Sequence, residues 1–398
     1  MPEKFDWLKD EMKDFKTLSK LPIILKFLKG RVKGPDDITK CTLCPNMCRN
    51  ACPVGIVDGS ETTSPSGKSK IGFLLRENVL EKNKENVFPL YMCLSCGCCE
   101  KYCPFDFSVS DILRPIKTNA VDKGIIQDEL KEVLKNLEKY GYPYGKLKTN
   151  EKAESKIKNK KQKILYLSGC SFRENFPGVI LKALKLFEKL GHNVEIISEE
   201  KCCGIPAYHI GDMKTFKKLA KENTKIINDF NPEIIVTSCP SCTYSYKNLY
   251  RESGFEINAP VFHITEFLKD NISDFKMKSG KNMDFTFHDP CKLVHGLKQP
   301  NIFSEFLEKI LNNDVKKPWR NGENTFCCGY GGSSICRINP KLGDEIAYER
   351  LKELADFSNN IITTCPSCKL AFENAKKTID KEVNIYDIIE FIDLLSDK

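Results

Sequence analysis

From residue 163 onward the chain alternates short apolar runs with longer stretches in which apolar side chains return every three or four positions. Lys163–Leu167 (KILYL) predicts a short buried strand, and a helix is expected from about 177 to 190, stopped by Gly191. A strand at 194–197, a helix at about 212–230 and a strand at 233–237 (EIIVT) follow. The same succession returns, with strands expected at 284–287 and 360–363 and helices at about 301–312 and 340–357. Strands alternating with helices imply right-handed crossovers, so the expected class is α/β with a parallel sheet in each of two copies. Ahead of the duplication the period is helical. Phe5, Leu8, Met12, Phe15 and Leu18 stand three and four apart among charged residues, an amphipathic helix within 1–34. It either packs on its own domain or docks on a partner protein or membrane surface. Residues 111–140 read as continuing helix ended by Gly141-Tyr142-Pro143, and 145–162 as a Lys-rich linker nearly free of apolar side chains. The expected divisions are 1–34, 35–144, 145–162, 163–280 and 281–398.

Composition changes this picture at one point. Apolar content of 41% and charged content of 29% are ordinary for a globular protein, but 20 of the 398 residues are cysteine. A disulfide framework suits short secreted chains. Here the start, MPEKFDWLKDEMKDF, lacks the apolar core of a secretory leader, and the cysteines cluster as Cys-x2-Cys and Cys-Cys. Metal or cluster ligation in a reducing, cytoplasmic compartment is therefore expected. No apolar run is long enough to span a bilayer, so any membrane association would go through a partner subunit. The net charge of +8 comes from scattered lysines and is offset by every thiolate that ligates iron, so no nucleic-acid surface is expected. Richness in Lys, Glu and Ile fits an archaeal or thermophilic source.

The first thiol run is Cys41-x2-Cys44-x3-Cys48-x3-Cys52-Pro53, and the second is Cys93-x2-Cys96-x2-Cys99-x3-Cys103-Pro104. The second matches the pattern of two-cluster ferredoxins, in which three close cysteines hold one cluster and the distant fourth crosses to the other. That rule assigns Cys41, Cys44, Cys48 and Cys103 to one 4Fe–4S cubane, and Cys93, Cys96, Cys99 and Cys52 to a second. Zinc is the rival for such pairs. The first run carries one extra residue, and Cys98 stands between two ligands as a spare thiol or an exchange ligand. The long gap between the runs points to a helical ferredoxin-like domain in which short helices separate the motifs.

A different constellation occupies the duplicated half. It reads Cys170, Cys202-Cys203-Gly204 and Cys239-Pro240-Ser241-Cys242, and returns as Cys291, Cys327-Cys328-Gly329 and Cys365-Pro366-Ser367-Cys368. Matched register means two copies of one structural unit. Cys170, Cys239, Cys291 and Cys365 follow strand-like runs, where open α/β sheets bind their ligands. The Pro of each Cys-Pro-Ser-Cys suits a helix's first turn, whose free N–H groups favour thiolate and sulfide. Five thiolates exceed the four corners of a cubane, so an unusual iron–sulfur cluster is expected at each set.

These motifs resemble the cysteine-rich CCG domain of the heterodisulfide reductase catalytic subunits. Two 4Fe–4S motifs followed by two such domains resemble the D-type heterodisulfide reductase subunit of methanogens, or its C-type and B-type subunits fused. The resemblance implies a noncubane 4Fe–4S cluster on Cys170, Cys202, Cys203, Cys239 and Cys242, and another on Cys291, Cys327, Cys328, Cys365 and Cys368. It further implies that the two clusters face each other where the coenzyme M–coenzyme B disulfide is cleaved to two thiols. Electrons would enter through the two cubanes from a cytochrome b, flavoprotein or hydrogenase type of partner subunit. The same architecture is similar to iron–sulfur subunits of glycolate and lactate oxidation, which carry electrons away from a flavoprotein. Gly329-Tyr330-Gly331-Gly332 lacks the spacing of a dinucleotide fingerprint, so flavin or nicotinamide would belong to the partner. A binding module with structural zinc is the third reading.

Lesser candidates follow. His288, in His288-Asp289-Pro290-Cys291, and His295 could each supply a proton to a departing thiolate, or be turn histidines bonded to backbone. Cys336 is expected in the core as a small apolar residue, Tyr208 and His209 could line the cleft, and His192 and His263 read as structural.

Overall fold

The computed structural model describes residues 36–147, 163–197, 200–272, 284–311 and 315–396. The amphipathic segment expected at 1–34 and most of the 145–162 linker lie outside the described residues.

Helices α1 (Asp37–Leu43), α2 (Pro53–Val57), α3 (Pro65–Arg76), α4 (Lys84–Tyr91), α5 (Val109–Asp122) and α6 (Asp128–Tyr140) precede the first strand. Their starts are written locally. Asp36 accepts from Thr39 N, Ser64 from Gly67 N and Asn83 from Asn86 N, each satisfying a first-turn donor. The stretch 111–140 is two helices rather than one. Gly124 adopts φ +67°, Gly124 N reaches Val121 O at 2.9 Å and Ile125 N reaches Ala120 O at 3.0 Å, so the chain turns out of α5 before α6 begins. Gly141, with φ +73°, then ends α6 where expected.

The first sheet and its helices comprise β1 (Lys163–Leu167), α7 (Cys170–Asn175), α8 (Pro177–Lys189), β2 (Asn193–Glu195), α9 (Ile205–Ile210), α10 (Met213–Phe230), β3 (Ile234–Thr237), α11 (Pro240–Tyr244), β4 (Val261–His263) and α12 (Ile264–Asn271). Strand order is β2-β1-β3-β4, all parallel. The second unit comprises β5 (Thr286–His288), α13 (Ile302–Leu311), α14 (Ile335–Ile338), α15 (Pro340–Ala355), β6 (Asn360–Thr363), α16 (Pro366–Ala375), β7 (Asn384–Asp387) and α17 (Ile388–Leu395), with order β5-β6-β7, also parallel.

Two strands, β4 and β7, lie beyond those the periodicity predicts. Each runs straight into a capped helix: His263 with Glu266, and Asp387 with Glu390, form reciprocal capping boxes at the starts of α12 and α17. The sequences Phe262-His263-Ile264-Thr265-Glu266-Phe267 and Tyr386-Asp387-Ile388-Ile389-Glu390-Phe391 therefore extend the duplication beyond the cysteines.

The two units share one core. Ile164, Tyr166, Val236 and Phe267 of the first pack in the same buried cluster as Phe285, Phe287, Ile362 and Phe391 of the second. A fully buried Phe or Ile contributes about 1.5–3 kcal/mol, so this seam is a strong one. The contacts across it are reciprocal. Helix α8 packs on α17 and α12 on α13; α11 meets the 292–296 turn after Cys291, and α16 meets α7, which begins at Cys170. Each pair is the duplicate of another, so the units are related by an approximate twofold that sets each Cys-Pro-Ser-Cys helix against the lone-cysteine segment of the other copy. The N-terminal helices lie against both units, through a core joining Leu113 and Val133 to Ile205 and Phe216, and another joining Met92 and Leu94 to Phe326 and Ile346.

Candidate iron–sulfur sites

Cys41 lies within α1, Cys44 just beyond it, Cys48 in a tight helical turn at Met47–Ala51, and Cys52 at the N-cap of α2, where its Sγ accepts from Gly55 N at 3.4 Å. Cys41, Cys44, Cys48 and Cys103 line one small cavity; Cys52, Cys93, Cys96 and Cys99 line a second, and Cys99 borders both. The structure thus brings together the two crossed quartets. Burial, with Cys44 and Cys103 alongside, pushes the Cys41 thiol up to about 11; burial, with Cys41 and Cys52 nearby, pushes Cys48 up to about 12. Crowded buried sulfurs of this kind ionise together only when cations sit among them, which is the donor chemistry of an iron–sulfur cluster. Lys68, 1% exposed, places its Nζ 3.9 Å from Cys52 Sγ and adds positive charge to that quartet.

The duplicated thiols also converge. Cys170 Sγ lies 3.7 Å from Cys202 Sγ, and Cys203, Cys239 and Cys242 lie close enough to these and to one another to perturb each other's ionisation, all as free thiols. In the second copy Cys291 Sγ lies 3.8 Å from Cys327 Sγ, and Cys328, Cys365 and Cys368 lie close enough to perturb each other's ionisation. Cys239 and Cys365 face the same cavity from opposite units, near enough that each perturbs the other's ionisation. Two glycines permit this. Gly169, at φ +82°, lets the chain pass Cys242 Sγ, which a Cβ would approach to 3.2 Å; Gly329, at φ +87°, lies where a Cβ would stand 2.5 Å from Gly343 O.

A cavity of about 310 Å³ opens between the quintets, walled by Cys170, Cys202, Cys203, Cys239 and Cys242 on one side and Cys291, Cys328, Cys365 and Cys368 on the other. Lys292 and Arg337 are the charged side chains on its wall, and no carboxylate joins them among the described residues. Cys327 lies behind, in a buried cluster with Cys291 against which Cys96 of the second quartet packs. This contact joins the N-terminal thiols to the second quintet.

Several lesser expectations change. Cys336 is half-buried and lines the cavity instead of the core, because α14 is a single short turn beside Gly331 and Gly332. Cys98 is buried and turned away from the quartet cavities, its Sγ donating to Thr325 O at 3.3 Å. His288 is fully buried and does not line the cavity, so the structure offers it no path to a departing substrate sulfur. His295 lines a smaller polar cavity beside Cys96, as does Tyr208, while His209 lines both that cavity and the central one. His263 caps α12, and His192 packs edge-on against Phe267. Sequence reasoning missed the ion pair Arg173–Glu200 (2.8 Å): Glu200 accepts from Gly169 N at 2.9 Å and so fixes the turn into Cys170.

Comparison with known proteins fits this geometry. Residues 37–107 match the 4Fe-4S dicluster domain, and residues 164–247 and 285–373 each match the cysteine-rich domain called CCG. The chain is 27% identical over 378 residues to the B-type subunit of fumarate reductase (CoM/CoB) from Methanothermobacter marburgensis, covering 92% of this chain and 74% of that one. It is 28% identical over 326 residues to the D-type subunit of dihydromethanophenazine:CoB–CoM heterodisulfide reductase from Methanosarcina barkeri, covering 79% and 78%. It is 25% identical over 334 residues to EtfAB:quinone oxidoreductase of Syntrophomonas wolfei, of which it spans 46%. A hypothetical protein from Helicobacter pylori shares the fold, with a TM-score of 0.56 at 12% identity over 98% of this chain and 76% of that one. The class is therefore an iron–sulfur oxidoreductase subunit. Within it, the chain resembles the D-type subunits of heterodisulfide reductase, as an iron–sulfur protein with a dicluster domain followed by two cysteine-rich domains.

Proposed function

We propose that this chain is the subunit of a reductase complex that cleaves a disulfide, of the coenzyme M–coenzyme B kind, to two thiols. The observation that carries the reading is the single cavity walled by both thiol quintets, with Cys239 and Cys365 facing it from opposite units. The residues present fit cubane clusters on the two quartets of an N-terminal ferredoxin-like domain and noncubane clusters on the two quintets. When bound, such clusters supply one-electron redox centres, which a two-electron cleavage needs in pairs.

The protein's own part is placement. The reciprocal packing of α11 and α16 presents both quintets to one space, so each half of a disulfide finds sulfur-rich wall on its own side. Burial of Cys202, Cys203, Cys327 and Cys328 keeps water from the ligand sulfurs. Lys292 and Arg337, with no carboxylate beside them on the wall, favour a disulfide with anionic ends. Leu43, Met47, Tyr102 and Phe105 are exposed apolar side chains around the first quartet, which suits docking of an electron-donating partner there. No helix among the described residues is long and apolar enough to cross a membrane.

The test is the anaerobically purified chain with reduced viologen and a panel of disulfides. Disulfide-dependent oxidation of the dye, with two thiols released per disulfide, is expected. A second reading, an electron-carrying subunit for a 2-hydroxyacid-oxidising flavoprotein, gains support from the likeness to EtfAB:quinone oxidoreductase. It predicts dye oxidation by no disulfide, and reduction of the chain by a flavoprotein instead.

A further inference from the structure

Behind the second quintet runs a chain of buried polar groups. His288, the last residue of β5, is fully buried, and its Nδ1 lies 3.2 Å from Arg350 Nε. Arg350 is itself fully buried; its Nη1 pairs with Glu353 Oε2 at 2.7 Å, and Glu353 pairs with Arg320 Nε at 2.6 Å. A guanidinium has donors and no acceptor, so Nδ1 of His288 must accept. A ring whose Nδ1 accepts carries its proton on Nε2. Nε2 has no hydrogen-bond partner among the described residues. A ring nitrogen of His288 and the Sγ atoms of Cys328 and Cys368 lie within 4.8 Å of one another, which puts Cys328 within reach of the unpartnered Nε2.

The first quintet is built differently at the same place. Leu167 ends β1 three residues before Cys170, as His288 ends β5 three residues before Cys291. An aliphatic side chain there can donate nothing.

We propose that His288, its tautomer set by Arg350, donates an Nε2–H hydrogen bond to the Cys328 thiolate and thereby raises the reduction potential of the iron–sulfur group on the second quintet above that on the first. A hydrogen bond to a ligand sulfur stabilises the more negative, reduced state, and is one of the means by which proteins set cluster potentials. Arg350 is a positioning residue in this scheme. The two walls of the cavity are then chemically unequal, although the fold that carries them is duplicated. This rests on the second quintet holding iron, which iron and sulfide analysis of the unmodified protein tests separately.

The experiment is an anaerobic redox titration of the full chain, followed by electron paramagnetic resonance, on the unmodified protein, His288→Leu and His288→Gln. His288→Leu copies the first quintet and is expected to shift one centre about tenfold toward its oxidised form, about 59 mV lower for a one-electron couple, with the other centres unmoved. His288→Gln keeps an N–H donor and should fall between. Full iron content with all midpoints unchanged in His288→Leu would overturn the proposal. Loss of iron from one site in both variants would overturn it too, because His288 would then be a ligand and not a donor.

Discussion

Glu200 is a carboxylate only 4% exposed, and it stands beside the first quintet without touching a thiol. It holds Gly169 N and Arg173, and through them the turn that delivers Cys170. Removing one partner of a buried pair leaves an uncompensated charge, so Arg173→Met should cost about 3–5 kcal/mol, read as a lower midpoint in anaerobic urea unfolding. An unchanged midpoint would show that Glu200 is satisfied without the guanidinium. Arg337 makes a different prediction, because it is exposed on the cavity wall. Arg337→Ala should raise KM for an anionic disulfide by a few-fold, about 1 kcal/mol or less, with kcat little changed and the effect shrinking as salt is added. At this scale the thiols are legible in the sequence, since ligand spacing is a local property of the chain. Arg350 and Glu200 are not. A charged residue within a helix or loop carries no local sign of burial, and Arg173 and His288, which these two meet, lie far off in the sequence.

At the scale of elements, the loop carrying Cys93 and the second unit approach through glycines. Gly332, at φ +71°, packs so closely on Leu94 that a Cβ would lie 2.9 Å from Leu94 O and 3.2 Å from Cys93 O. Gly332→Ala should therefore destabilise the protein by about 1–3 kcal/mol and weaken the approach of Cys96 to Cys327, measured by denaturation and by the rate of dye oxidation. The spacing of Gly329-Tyr330-Gly331-Gly332 excludes a nucleotide fingerprint, but its use for close backbone contact is invisible without the fold. The strands β4 and β7 escape for a related reason: three or four residues that merge into a helix show no period of their own. Their caps are the available signal. Asp387, buried at the start of α17, accepts from Ile389 N, while the Lys369–Glu390 pair lies alongside; burial pushes its carboxyl up to about 8. Below about pH 4 the folded and unfolded chains both hold this proton. Between pH 4 and about 8 the unfolded chain has lost it and the folded chain keeps it, so stability falls as pH rises through this window. Asp387→Asn keeps the capping oxygen and should flatten that decline in a series of melting curves; an unaltered slope would place its origin elsewhere.

The whole molecule is a duplicated body with a third part laid across it. The duplication is readable because the cysteines repeat in register, and parallel sheets follow from alternating strands and helices. The approximate twofold is not, because it depends on which helix packs on which: α8 on α17 and α12 on α13. Nor is the contact of the N-terminal thiols with the second quintet, where Cys96 packs against the buried cluster that holds Cys291 and Cys327. That contact and the shared cavity make the position of the metal decisive. Diffraction from anaerobically grown crystals at the iron absorption edge tests this most directly. Four separate iron groups are expected: one on each crossed quartet, and one on each quintet facing the common cavity. Zinc at the quintets, or disulfides among Cys239, Cys242, Cys365 and Cys368 with no iron beside them, would contradict it.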